Sequence, residues 1–320
     1  MDATFGLDRD ETAALTRRVT TLSVATAGLL TVLKAAVWFA SGSVSILASL
    51  ADSGLDLLAA FGTFAAVRYA AVPPDAEHRF GHGKAEAFAS LVQAGLVFAS
   101  AALIGQEAIQ RLISPKPLMR EGWAIGVMAI STLLTAGLIA AQSQVLRRAR
   151  SVAVSGDRAH YTADLASNLV ALAAIAASAL FGFNGFDALG GLAVCAVLLW
   201  GAVKVFRQAS DELLDRELPD EARAHIVSLM TEDPRLTDVH QLRTRASGPI
   251  VHIQMHADLD PDLSLETAHQ VVVAAERRVL EAFPAADIII HADPRGRAEP
   301  HGGAFPEMHP PEAAGAQAGA

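Results

Sequence analysis

Two pairs of ionisable residues lie four positions apart within apolar stretches of the sequence. One pair is Asp52 and Asp56, and the other is His160 and Asp164. A spacing of four puts both side chains of a pair on one face of a helix, one turn apart. Ionisable groups are costly inside a bilayer, so they mark a functional site by default. Three carboxylates and one imidazole are also a suitable four-ligand set for a divalent metal.

Each pair also has a structural interpretation. Asp52 and Asp56 could be polar residues that hydrogen-bond inside a helix bundle. His160 and Asp164 could be an interfacial histidine and a cap at the start of a helix. Together these alternatives weaken, because three acids without a cation would repel one another or stay protonated. We therefore interpret the four residues as a metal site within the membrane.

Membrane-spanning helices are the elements predicted to position these residues. The sequence is 52% hydrophobic and 18% charged, whereas about 25% charged is typical of soluble domains. A helix of about 20 apolar residues can cross a bilayer. Six such runs occur, at residues 19–40, 44–70, 85–113, 123–146, 160–181 and 186–206. The first 18 residues lack the pattern of a signal peptide, so the first run is expected to be a retained span.

Basic residues near the ends of the runs predict their orientation, because cytosolic loops are enriched in Lys and Arg. With a cytosolic N-terminus, the inner segments hold most of these residues, including four arginines within residues 147–158. The outer loops hold only Arg111, Lys116 and Arg120. The prediction is six spans with both termini in the cytosol, so that spans two and five run antiparallel.

The part of the chain after Arg207 is predicted to be an acidic cytosolic domain. Up to Arg207 the sequence has 16 basic and 14 acidic residues, and after it 9 basic and 20 acidic ones. This balance argues against nucleic acid and for cations as partners. Helical and strand patterns alternate at residues 219–232, 239–245, 250–259, 263–283 and 287–291, which predicts an α+β domain of order αββαβ.

These patterns give four predicted segments. They are an N-terminal cytosolic segment at 1–14, a transmembrane domain at 15–209, a cytosolic metal-binding domain at 210–294 and a disordered tail at 295–320. The tail is rich in Gly, Pro and Ala and has no hydrophobic period, so it has little to bury.

Two further histidine groups could bind metal. Asp75, His78 and His82 lie in the polar loop after the second run, and the alternative is a charged, solvated loop. In the C-terminal domain, strand alternation puts His252 and His256 on one polar face. Other candidates lie at or near the ends of neighbouring elements, namely His240, His269, His291 and Asp293. Here the alternative is a scatter of surface histidines.

Six motifs, in order, resemble the cation diffusion facilitator family over residues 15–294, and within it the bacterial zinc and ferrous-iron efflux members. The motifs are Asp52-x-x-x-Asp56, Phe80-Gly-His-Gly-Lys-Ala-Glu86, His160-x-x-x-Asp164, Leu214-Asp-Arg-x-Leu-Pro-Asp-Glu221, Leu242-Arg-Thr-Arg-x-Ser-Gly248 and Ile289-Ile-His-x-Asp-Pro294. Two departures are Ala159, where some relatives carry a bulkier apolar residue, and His252, an additional imidazole.

The resemblance implies a homodimeric metal/proton antiporter of the bacterial plasma membrane, with a six-helix transmembrane bundle and a metallochaperone-like cytosolic domain. Its partners would be lipid, protons and divalent metal ions, with Zn²⁺ exported and Cd²⁺ or Fe²⁺ as alternatives. It implies a transport site of Asp52, Asp56, His160 and Asp164, a loop site of Asp75, His78 and His82, and a cytosolic two-metal site of His240, His256, His269, His291 and Asp293. Lys84 and Asp215 match charges that join the protomers in relatives.

Two other function classes are alternatives to a transporter. A membrane metalloenzyme would need a catalytic motif, but the sequence has no His-Glu-x-x-His and no histidine-rich box near the spans. A membrane-anchored metal sensor would explain the C-terminal histidines but not four ligands within the spans. The sequence therefore favours a transporter that is not an enzyme.

Overall fold

The computed structural model describes residues 6–41, 44–113, 122–181 and 185–296. The chain divides into two compact units. One consists of residues 13–147 and 151–210, and the other of the N-terminal residues up to 12, residues 148–150 and the chain from 211 onward. The predicted disordered tail falls outside the described residues from position 297.

The first unit is built from six long helices. They are α1 (Arg9–Ser41), α2 (Val44–Ala70), α3 (Ala85–Ile113), α4 (Gly122–Leu146), α5 (Val152–Phe181) and α6 (Gly185–Leu213). Within the described ranges, five of them are long and apolar enough to cross a membrane. These five are α1, α2, α3, α4 and α6. A membrane crossing by α5 therefore stays a prediction.

Helix α5 begins at Val152, eight residues before the predicted start at His160. The hydroxyl of Ser151 caps it by accepting a hydrogen bond from the Val154 amide at 3.2 Å, and it donates to Glu86 Oε2 at 2.5 Å. His160 therefore lies two turns inside the helix. The interpretation of His160 and Asp164 as residues at a helix start is wrong, because a serine cap lengthens the helix beyond its apolar run.

Helix α5 lies against α2, α3 and α4, and small residues allow the close approach. At Gly156, an added Cβ would lie 3.2 Å from Ser90 Oγ and 3.3 Å from Gln93 Cβ of α3. Further along, α3, α5 and α6 share a buried apolar cluster of Val97, Ala101, Ala163, Val194, Leu198 and Ala202. The face of α5 that carries the candidate ligands is thus held among neighbouring helices.

The second unit has the predicted order αββαβ. Its elements are α7 (Asp220–Met230), β1 (Leu236–Ser247), β2 (Ile250–Leu259), α8 (Leu265–Ala282) and β3 (Ala286–Pro294). Strands β1 and β2 pair antiparallel through a turn at Gly248, whose φ is 57°. Strand β3 pairs parallel with β2, and α8 provides the crossover that a parallel pair requires.

The core of this unit forms because the strands alternate. On β2, Ile253, Met255 and Ala257 are buried and pack with Val271 and Val279 of α8. The residues between them on β2 belong to the opposite face of the strand. One face of the sheet therefore carries the hydrophobic core, and the strand histidines predicted as ligands lie on the other.

The approach of α5 to α3 yields a stability prediction. Replacing Gly156 by Ala should lower the melting temperature of the detergent-solubilised protein, because the added methyl group crowds Ser90 and Gln93 and overpacking costs about 1–3 kcal/mol. The matched change Gly201→Ala in α6 meets nothing within 4 Å. It should be neutral or stabilise by up to about 1 kcal/mol, because Ala favours helix over Gly. Equal melting temperatures for the two variants would contradict the close packing at Gly156.

Candidate metal centres

The first candidate centre lies between α2 and α5. His160 Nε2 is 3.0 Å from Asp56 Oδ1 and 3.7 Å from Asp164 Oδ2. One ligand atom from each of the three residues lies within 4.8 Å of the others. His160 is buried, and both carboxylates are partly buried. The structure thus brings together three of the four residues predicted for the transport site.

Asp52, the fourth predicted ligand, lies one turn before Asp56 on α2. Its side chain is exposed, and it is not in the group formed by Asp56, His160 and Asp164. The spacing of four places it on the same side of the helix as Asp56. Its role as a ligand stays a prediction.

Lys34 of α1 adds a cation that the sequence analysis did not identify. Its Nζ donates to Ser53 Oγ at 2.6 Å and to the Ser49 carbonyl at 3.2 Å. The ammonium is within electrostatic reach of Asp56, Asp164 and Asp52. The only signal in the sequence is a single lysine within the first apolar run. When the three carboxylates and the imidazole are deprotonated for metal binding and Lys34 is protonated, the set has two net negative charges.

The surroundings of His160 indicate where its proton lies. Nε2 faces a carboxylate oxygen of Asp56 and one of Asp164, whereas Nδ1 is buried and has no hydrogen-bond partner among the described residues. An imidazole N–H belongs next to an acceptor, whether the ring is neutral or protonated. Nε2, the atom that faces the centre, therefore carries a proton.

The second candidate centre is the loop between α2 and α3. Asp75 Oδ1 accepts hydrogen bonds from the amides of His78 at 2.6 Å and Glu77 at 2.9 Å. The bond from the His78 amide holds the pKa of Asp75 below its usual value, since it favours the charged form. Asp75 therefore stays ionised, as a metal ligand must be.

Both loop histidines face this carboxylate. His78 Nδ1 is 3.5 Å from Asp75 Oδ1, and His82 Nε2 is 3.2 Å from Asp75 Oδ2. The buried His82 ring is oriented by Val72, whose carbonyl oxygen is 3.4 Å from its Nδ1. Such a hydrogen bond leaves Nε2 available to a metal. The structure therefore brings together all three residues predicted for the loop site.

The third candidate centre is on the sheet of the second unit. His240 of β1 is directly opposite His256 of β2, which in turn is opposite His291 of β3. Asp293 Oδ2 lies 2.8 Å from His256 Nδ1 and 3.4 Å from His240 Nε2, and its Oδ1 lies 3.2 Å from His291 Nε2. Strand register thus places three imidazoles around one buried carboxylate.

Other predicted residues lie apart from this centre. His269 is exposed on α8 and belongs to none of the ligand groups found in the described ranges. His252 has the same strand parity as His256, but its Nδ1 lies 3.0 Å from Asp287 of β3, its cross-strand neighbour. Asp215 forms an ion pair with Arg245 at 3.1 Å. For Asp215 and Lys84, a role in joining protomers stays a prediction.

A further group on the sheet was missed by the sequence analysis. Asp238 and Asp258 each place a carboxylate oxygen within 4.8 Å of a His240 nitrogen and of each other. Asp258 Oδ1 is 3.8 Å from His240 Nδ1. The available signal was strand alternation, because each aspartate lies two residues from a predicted histidine ligand. His240 is thus common to two groups of ligand atoms.

Two family models match the chain. The cation efflux transmembrane domain matches residues 20–214, and the cytoplasmic domain of cation efflux proteins matches residues 218–295. The chain belongs to the cation diffusion facilitator family. It is therefore a cation-efflux transporter that crosses a membrane several times, and the match to the cytoplasmic domain supports a homodimer.

Curated relatives agree with this membership. The cation-efflux pump FieF of Salmonella choleraesuis (strain SC-B67) is 39% identical over 280 residues, which cover 88% of this chain and 93% of the relative. FieF of Escherichia fergusonii is 40% identical with the same coverage. A solved structure of the Zn form of CzrB is 32% identical and covers 27% of this chain and 98% of that chain, with a TM-score of 0.25.

The geometry of the loop centre yields a binding prediction. His82→Ala should reduce the number of Zn²⁺ ions bound per protomer by one, because it removes the buried, oriented imidazole of a three-residue group. Equilibrium dialysis of the purified protein measures this number. The control is Glu77→Gln, which changes a charge in the same loop outside that group and should leave the number unchanged. Equal stoichiometry for both variants would exclude the loop site.

Proposed function

We propose that this protein exports Zn²⁺ from the cytosol in exchange for protons. The observation that carries the proposal is the position of His160 Nε2, which lies 3.0 Å from Asp56 Oδ1 and 3.7 Å from Asp164 Oδ2. Carboxylates and a neutral imidazole are metal ligands only when deprotonated, so metal binding releases protons and proton binding expels metal. A site with these three groups links the two fluxes directly.

Proton and metal compete for one atom in this mechanism. In the metal-free state the N–H group at Nε2 donates a hydrogen bond to Asp56. A metal ion needs the Nε2 lone pair, so the imidazole must lose that proton or move it to Nδ1. Protons arriving at the carboxylates and at Nε2 remove the ligands of the bound ion. Metal and protons thus exchange at the same ligand atoms.

Charge supports a divalent substrate. Asp52, Asp56 and Asp164 lie within electrostatic reach of Lys34, and the four side chains together have two net negative charges when ionised. One divalent cation would neutralise this set, which matters because uncompensated charge is costly in a bilayer. A monovalent ion would leave a net charge in the membrane.

The ligand types support Zn²⁺ and allow two alternatives. Mixed imidazole and carboxylate sites suit tetrahedral Zn²⁺. The same donors also bind Fe²⁺ or Cd²⁺, between which availability and geometry decide. We propose that Asp52 completes the transport site as the fourth ligand, since it follows the face of α2 one turn from Asp56.

We propose a topology of six spans in the bacterial inner membrane, with both termini in the cytosol. The distribution of basic residues supports it, and α5 would cross despite its charged first half because that half faces other helices. The segments proposed are 1–14, 15–209, 210–294 and 295–320, as predicted from the sequence. On this topology α2 and α5 run antiparallel.

In the homodimer, we propose that the cytosolic domain binds two metal ions at its sheet. The row of His240, His256 and His291 around Asp293 supports one ion. The exposed His269 is proposed as a ligand of the second ion together with residues of this row. Lys84 and Asp215 are proposed to join the protomers. Metal at these sites would tighten the contact between the two soluble domains.

The transport site is tested by Asp56→Ala. The change removes the carboxylate in contact with His160, so Zn²⁺ flux driven by a pH gradient should be lost in proteoliposomes, as measured with a fluorescent Zn²⁺ indicator. The matched control is Glu107→Gln, which alters a carboxylate of α3 that pairs with Arg111 instead and should retain flux. Undiminished flux through the Asp56 variant would refute the site.

The cytosolic sites are tested by cross-linking. In a Cys195→Ser background, a single cysteine introduced on the exposed surface of the soluble domain should cross-link more efficiently between protomers with Zn²⁺ than with chelator. Adding His256→Ala should remove that difference, because it takes away the histidine nearest Asp293. An equal cross-linking efficiency with Zn²⁺ and with chelator would show that metal does not tighten the dimer.

A further inference from the structure

Asp157 is a buried carboxylate that no metal group in the described structure includes. It is 1% exposed and lies on α5 three residues before His160, so the two side chains are neighbours on the helix surface. Burying a carboxylate is costly unless it is hydrogen-bonded. Its partners therefore indicate what it is there to do.

Two buried amides hold this carboxylate. Gln142 Nε2 of α4 donates to Asp157 Oδ2 at 2.8 Å, and Gln93 Nε2 of α3 lies 3.4 Å from Asp157 Oδ1. The same amides reach two more helices, since Gln142 Nε2 also donates to Ser23 Oγ of α1 at 3.2 Å and Gln93 Nε2 to Thr63 Oγ1 of α2 at 3.0 Å. All five side chains are at most 2% exposed.

This network restricts rotation of α5 about its axis. Each residue advances about 100° around a helix, so Asp157 and His160 point only about 60° apart. A rotation that moved Asp157 from its two amides would also swing His160 Nε2 away from Asp56. The rotation is opposed because it would leave the buried carboxylate of Asp157 without its amide donors.

We propose that Asp157 is a positioning residue for the transport site. Its hydrogen bonds to Gln93 and Gln142 fix α5 in the orientation that turns His160 and Asp164 toward Asp56. Asp157 itself does not bind the transported ion, since both of its oxygens face amide donors. This inference rests on the proposed transport function.

The test measures metal binding and transport separately. In full-length protein lacking His82, His240 and His256, which disrupts the loop group and both sheet groups, Co²⁺ replaces Zn²⁺ and its visible absorption reports tetrahedral ligands. Asp157→Ala should raise the KM for Zn²⁺ flux about tenfold, the effect of losing hydrogen bonds to a buried charge, and should weaken the tetrahedral Co²⁺ bands. Maximal flux per folded protein should change less than KM.

A conservative variant and a matched control accompany Asp157→Ala. Asp157→Asn keeps the shape, and its new N–H₂ can pair with Gln142 Oε1, a buried atom without a hydrogen-bond partner in the part of the chain described. Its KM should stay within about threefold of the parent. Thr162→Val alters an exposed hydroxyl of α5 that bonds only its own helix, at Arg158 O, and should change neither KM nor the Co²⁺ bands.

The outcomes are distinguishable. Unchanged KM and Co²⁺ bands in Asp157→Ala would overturn the inference, as would an equal loss in Thr162→Val. If Asp157→Ala yields no folded dimer, Gln142→Ala decides: a raised KM with weakened Co²⁺ bands supports the inference, and parental values overturn it. If Asp56→Ala still transports, the proposed function fails; if only the Asp157 prediction fails, the transport site stands.

Discussion

The contact between His160 and Asp56 is the interaction on which the rest of the first unit depends. It joins a buried imidazole to a carboxylate in a region where unpaired charge is costly. Such a contact exists only if two helices are held in one rotation and one register. The glycine at position 156, the serine cap at 151 and the buried amides around Asp157 all serve that requirement.

Each of the three candidate centres combines carboxylates with imidazoles, but the centres differ in how the fold positions these groups. In the membrane unit, contacts between helices do so. In the loop, the backbone amide of His78 orients Asp75. On the sheet, strand register aligns His240, His256 and His291.

The sequence predicted features that depend on residues close together in the chain, and it missed features that depend on contacts between separate helices. Pairs four apart identify Asp56, His160 and Asp164 because helical periodicity alone puts them on a face. Lys34 is the one charged residue of its apolar run and Asp157 lies before the predicted fifth run. Their partners belong to other helices, so no spacing reveals them. The order αββαβ along the chain and the hairpin between β1 and β2 followed from strand alternation and a Ser-Gly-Pro turn. The start of α5 did not follow from the sequence, because a count of apolar residues overlooks a polar first turn that a side chain caps.

The positions of Lys34 and Asp157 indicate how the site separates two tasks. Lys34 is tethered to Ser53, beside the ligands on α2, where its charge offsets part of theirs. Asp157 lies toward the N-terminal end of α5, where its charge is taken up by amides. Lys34 adjusts the net charge of the site, and Asp157 fixes the orientation of α5. Because neither task needs a ligand atom, all four proposed ligands remain available to exchange metal for protons.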